Sequence, residues 1–88
     1  MAKYRVSIKP SAVKELESVE PKKLRQKIAE RISALGDNPR PPGCEKISGK
    51  DYDYRIRQGD YRVVYTVMDK LVTVVVVKIG NRREVYRR

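Results

Sequence analysis

YRIRQGDYRVVY, residues 54 to 65, is the stretch that decides what this chain folds into. Tyr52, Tyr54 and Ile56 alternate with Asp53, Arg55 and Arg57, the period-two pattern of a strand with one face turned inward and the other presenting two arginines. Gln58, Gly59 and Asp60 read as a tight turn. Tyr61 to Met68 then runs back as a second strand, with Arg62 displayed near its start. Met68, Asp69 and Lys70 turn the chain again, and Leu71 to Ile79, carrying five valines, suits a central or heavily packed strand. Gly80 and Asn81 break it. The three runs form an antiparallel meander. Parity alone leaves open whether Arg55, Arg57 and Arg62 share a face, because a bulge at Gly59 would reverse the alternation of one strand.

Working outward, Tyr4, Val6 and Ile8 alternate with Lys3, Arg5 and Ser7, a half-buried first strand that Pro10 and Ser11 end. Val13, Leu16 and Val19 make the apolar stripe of a short helix, and Glu20 and Pro21 open a second. In that second helix Leu24, Ile28, Ile32 and Leu35 recur at helical spacing, opposite a basic face of Lys22, Lys23, Arg25, Lys27 and Arg31. Gly36 is positioned as its cap, and residues 37–43 form the longest irregular stretch. The order strand, helix, helix, three strands predicts an α+β sandwich. Its two N-terminal helices pack on one face of a four-stranded, mostly antiparallel sheet, in a single domain over residues 1–88.

Composition narrows the chemistry. With no histidine and only Cys44, the chain has no recognisable zinc site, no intramolecular disulfide and no histidine-based proton transfer, and the expectation is a protein without metal or cofactor. Cys44, in a Pro-Gly loop, reads as an incidental small residue. No apolar run approaches the ~20 residues of a membrane span, and the start lacks a signal-peptide stretch, so the expected location is the cytoplasm and no membrane partner is expected. Lysines and arginines number 21 against 11 acidic residues, a net charge of +10 that suits a polyanion. An anionic membrane surface or an acidic protein would satisfy charge alone equally well. The charge is spread evenly, with 12 basic and 6 acidic residues up to position 50 and 9 and 5 beyond it, so geometry must decide whether it forms a patch.

The block YRIRQGDYRVVY, the valine-rich strand after it and IGNRREVY at residues 79–86 resemble the RelE/ParE toxin superfamily. KPSAVKELESVEPKKLRQKI resembles its paired N-terminal helices, so the similarity spans essentially the whole chain. The basic cluster with a terminal EVY resembles the RelE-like branch. The resemblance implies a microbial ribonuclease-type fold and an endoribonuclease that cuts messenger RNA in the ribosomal decoding site. It also implies a cognate antitoxin as inhibitor. It assigns the family's catalytic positions to Arg55 and Arg57 on one strand, Arg62 near the hairpin, Arg82 after the sheet and Tyr86 near the C-terminus. Lysines are usual where this chain has Arg55 and Arg57, and a guanidinium is too strong a base's conjugate acid to accept a proton.

Cleavage without metal or histidine is chemically coherent, because RNA's own 2′-hydroxyl is the nucleophile. The protein must orient the attack and hold the added negative charge, for which forked guanidinium donors suit phosphate oxygens. Arg62 and Arg82 are assigned to the reacting phosphate, and Arg55 and Arg57, with Arg83 and Lys78, to the RNA backbone. Tyr86 is placed to stack on a base, worth ~1–3 kcal/mol, or to join proton transfer. Each signal has a plainer reading: exposed arginines often only solubilise, and Tyr86 can be a rim aromatic. Two other functions stay open, a ParE-like topoisomerase inhibitor that cuts nothing and a weakly catalytic RNA- or antitoxin-binding relative.

Overall fold

The computed structural model describes residues 3–81. Its elements follow the expected order apart from one added strand, β2: β1 (Arg5–Ile8), α1 (Pro10–Glu17), α2 (Lys22–Ala34), β2 (Glu45–Lys46), β3 (Asp53–Gln58), β4 (Tyr61–Met68) and β5 (Thr73–Asn81). The sheet has five strands in the order β1-β5-β4-β3-β2, with β1 parallel to β5 and the remaining pairs antiparallel. The expected four-stranded sheet is corrected by β2. Its two residues pair with Tyr54 and Arg55 at the sheet edge, too short a run for alternation to mark.

The helices form for the reasons their sequences carry. Pro10 stands at the first turn of α1, where its missing N–H costs nothing. Ile28, Ile32 and Leu35 of the second stripe are buried, as are Ala12 and Val19. They meet Ile56, Val63, Tyr65, Val67, Val74, Val76 and Ile79 from a single face of the sheet. Full burial of an aliphatic side chain is worth ~1.5–3 kcal/mol, so this one interface supplies most of the drive to fold. The last turn of α2 closes on Leu35 in right-handed conformation, and Gly36 serves a different purpose from a cap. A Cβ there would come within 3.0 Å of the Tyr4 carbonyl oxygen, and the Gly36 carbonyl accepts the Tyr4 N–H at 2.7 Å, so glycine lets β1 approach the helix end.

Both strand reversals differ from their sequence reading in detail. Gln58 pairs with Tyr61, leaving a two-residue turn with Gly59 at φ 61°, the conformation this hairpin class asks of its first residue. The expected third strand begins at Thr73, because Asp69–Leu71 forms a single 3-10 turn that ends on Val72 at φ 47°.

Register is kept through Gly59 and shifts elsewhere. Val64 pairs with Lys78 but Tyr65 pairs with Val76, so Val77 is an extra residue in β5. Strict alternation from Val74 and Val76 would turn Lys78 into the core. The bulge sends Ile79 inward instead and leaves Lys78 exposed. β1 stops at Ile8, opposite Val76, and beyond it α1 takes over the open edge of β5. There the Glu15 carboxylate accepts the Ile79 backbone N–H at 2.9 Å and the Lys78 ammonium at 2.6 Å.

A polar lock ties the irregular stretch to the sheet. Arg40 donates through both terminal nitrogens to Asp69, at 3.2 and 2.8 Å, and through Nε to the Tyr54 hydroxyl at 3.0 Å. Tyr4 donates to Asp69 at 2.6 Å, and the buried Tyr65 donates to the Pro39 carbonyl at 2.8 Å. Arg40 first, then Tyr4, hold the Asp69 carboxyl below the usual carboxylate range. A carboxyl whose folded pKa is depressed adds stability above its unfolded pKa and loses it as pH falls through the folded value. Asp69→Asn is therefore expected to flatten the acid side of a melting temperature against pH curve, leaving the neutral side shallow as before. An unchanged acid limb would show that the lock does not contribute.

Candidate phosphate-binding face

Residues directly opposite in an antiparallel pair share a face, so the register settles the question that parity left open. Arg57 stands opposite Arg62, and Arg62 opposite Gly80. One row away, Glu45, Arg55, Val64 and Lys78 are partners in turn across β2 to β5. Ile56, Val63 and Tyr65 occupy the other face, against the helices. Arg55, Arg57 and Arg62 are thus neighbours on the face the helices leave uncovered. The cause is the two-residue hairpin at Gly59, which keeps both arms in phase.

Their accessibility differs. Arg57 is exposed, whereas Arg62 is only 4% exposed, a correction to its expected display at the surface. Arg31 of α2 donates to the Arg57 carbonyl at 2.8 Å and to the Gln58 side chain at 3.1 Å, fixing the strand end that presents Arg57. Lys78, assigned to RNA backbone from sequence, has its ammonium on Glu15. Arg82, Arg83 and Tyr86 lie outside the described residues.

Sequence reasoning missed Glu45. Its Oε1 accepts the Arg55 Nε–H at 2.8 Å. The Arg55 guanidinium above all, with smaller contributions from Arg57 and Arg62, holds the Glu45 carboxyl below the usual carboxylate range. Half of the Glu45 side chain remains exposed. The signal was weak because Glu45 sits in a two-residue strand after a loop, where no periodicity links it to Arg55.

Three forked cations with one carboxylate make a site for an anion with several oxygens. Guanidinium donors match phosphate in pairs, and a partly covered position strengthens each bond relative to bulk water. Among the described residues no helix is long and apolar enough to cross a membrane.

Comparison with known proteins agrees with this fold. The family model described as the ParE toxin of type II toxin-antitoxin systems, parDE, matches residues 6–86. A RelE-like toxin protein of Escherichia coli is 31% identical over 81 residues, covering 91% of this chain and 84% of that one. Toxin RelE1 of Methanocaldococcus jannaschii is 32% identical over 88 residues, covering 97% of each chain. Among solved structures, the archaeal RelE–RelB complex from Pyrococcus horikoshii aligns with a TM-score of 0.80 and 34% identity, over 93% of this chain and 97% of that one. The intact E. coli RelBE toxin–antitoxin complex aligns at 0.76 with 26% identity, over 89% and 95%.

Fold and arginine face together define a small α+β toxin of the RelE/ParE superfamily, the family to which this chain belongs. Within it the chain falls in the RelE-like branch, as the toxin of a type II toxin-antitoxin system.

Proposed function

We propose that the chain is a ribosome-dependent endoribonuclease that cuts messenger RNA by internal attack of a 2′-hydroxyl, without a metal ion, and that a cognate antitoxin restrains it. The observation that carries this reading is the row Arg57 opposite Arg62, with Arg55 one row away, on the face clear of the helices. Arg62 and Arg57 hold the reacting phosphate, Arg55 steers the neighbouring backbone, and Arg82 and Tyr86 are assigned to the same phosphate and its flanking base. Arg83 joins them on the RNA backbone; Lys78 does so only by leaving Glu15. The RelE–RelB complexes of relatives support an antitoxin partner, which an acidic segment facing a chain of net charge +10 would suit.

A second reading, inhibition of a topoisomerase without RNA cleavage, is favoured by the description of the matching family model. One experiment separates the two. The purified chain is expected to cleave messenger RNA on programmed ribosomes and to leave DNA gyrase active, with Arg82→Ala and Tyr86→Phe each lowering cleavage. Gyrase inhibition with intact messenger would overturn the nuclease in favour of the second reading, and cleavage that survives both substitutions would remove Arg82 and Tyr86 from the site.

A further inference from the structure

Internal attack of a 2′-hydroxyl needs somewhere for its proton to go, and among the described residues the arginine face leaves few acceptors. Guanidinium groups keep their protons in essentially any protein setting. The chain has no histidine, and the Lys78 ammonium is held by Glu15 at 2.6 Å. The register places two carboxylates on this face of β2 and β3, Glu45 and Asp53. Asp53 accepts the Thr66 hydroxyl at 2.7 Å, two rows from the Arg57–Arg62 pair. Glu45 stands against Arg55 with half its side chain open to solvent.

We propose that Glu45 is the proton acceptor for the attacking 2′-hydroxyl, a catalytic residue in which Arg55 positions the carboxylate through the 2.8 Å bond to Oε1. This rests on the nuclease reading above. As the 2′-oxygen bonds to phosphorus, its proton passes to the Glu45 carboxylate. The P–O5′ bond breaks, and the 5′-oxygen takes a proton from water. The hydroxide so formed recovers the proton from Glu45. The products are a 2′,3′-cyclic phosphate and a 5′-hydroxyl, with no water consumed.

The charges around Glu45 decide the pH behaviour. Arg55 and Arg57 face it from β3, Arg62 from β4, and Lys46 adjoins it on β2. All are cationic, so the carboxylate is ionised throughout the neutral range and available as a base there, and the same cations favour the developing 2′-alkoxide. A lysine or tyrosine base would instead make the rate climb with pH through and beyond neutrality.

Single-turnover cleavage of messenger RNA on programmed ribosomes tests this. Glu45→Gln keeps a carbonyl to accept the Arg55 Nε–H but cannot take a proton. It is expected to lower kcat by ~10²–10⁴-fold with KM unchanged. Wild type is expected to show a flat rate across neutral pH, and the residual Glu45→Gln rate to climb tenfold per pH unit as hydroxide replaces the base. Glu45→Asp recovers part of the lost rate, which a purely structural role would not require. Unchanged or faster cleavage by Glu45→Gln, with a lower KM, would overturn the proposal and reduce Glu45 to a counter-charge that RNA displaces. A wild-type chain that leaves the messenger whole would remove the parent reading itself, a different result from active wild type with an active Glu45→Gln.

Discussion

Arg62→Lys is expected to lower the cleavage rate on programmed ribosomes by ~10²–10³-fold, the cost typical of losing one preorganised donor to developing negative charge. The substitution keeps the positive charge, so what it removes is geometry. Arg62 lies almost wholly covered, opposite Arg57 and beside Gly80, where a planar fork can meet two phosphate oxygens and an ammonium can meet them only as a point charge. The loss should fall on kcat, because the bonds tighten as the phosphorus gains a fifth oxygen, and substrate binding should change less. Arg57→Lys, at an exposed position of the same row, should be milder and more sensitive to salt. Equal, small effects at both positions would show that charge alone suffices, and would leave the row without a catalytic role.

Tyr65→Ala is expected to cost ~3–5 kcal/mol, the range for removing a large buried aromatic. Against a total of roughly 5–15 kcal/mol for a domain, that brings the chain close to unfolding. At ~4–8 °C per kcal/mol for a chain of this size, the melting temperature should fall by tens of degrees, as circular dichroism would record. Three contacts meet at this residue. Its ring is fully buried in the core, it stacks on Tyr54 with centroids 6.0 Å apart, and its hydroxyl holds the Pro39 carbonyl. Burial pushes its phenol above the ordinary tyrosine range, so it stays protonated as a donor at neutral pH. Tyr65→Phe separates these parts: it keeps the ring and deprives Pro39 of its donor, for ~1–3 kcal/mol. If Tyr65→Phe proved as damaging as Tyr65→Ala, the hydrogen bond to the loop, and not the packed ring, would carry the position.

Much of this fold is legible in the sequence. The alternation around YRIRQGDYRVVY marked β3 and β4, the four apolar positions from Leu24 to Leu35 marked α2, and the valine run marked β5. These are local signals, in which each residue's neighbours along the chain report its environment. Glu45 and Arg40 carried no such signal, since both lie in or beside the irregular stretch after α2, and their partners Arg55 and Asp69 are 10 and 29 residues away. Glu15 likewise reads as one more polar helix residue until β1 proves too short to cover the end of β5.

The residues alone determined the order of the two helices and the four longer strands, the α+β class, the cationic character and the absence of histidine chemistry, because each follows from periodicity, turn residues or composition. Only the tertiary structure decided that Arg55, Arg57 and Arg62 share a face, that Arg62 is covered, and that a carboxylate sits among them. A strand's period of two fixes which residues alternate but not which of the two sets turns inward once turns and bulges intervene. That choice belongs to pairing register, which here is kept through Gly59 and broken at Val77, and register is a property of strands meeting in space.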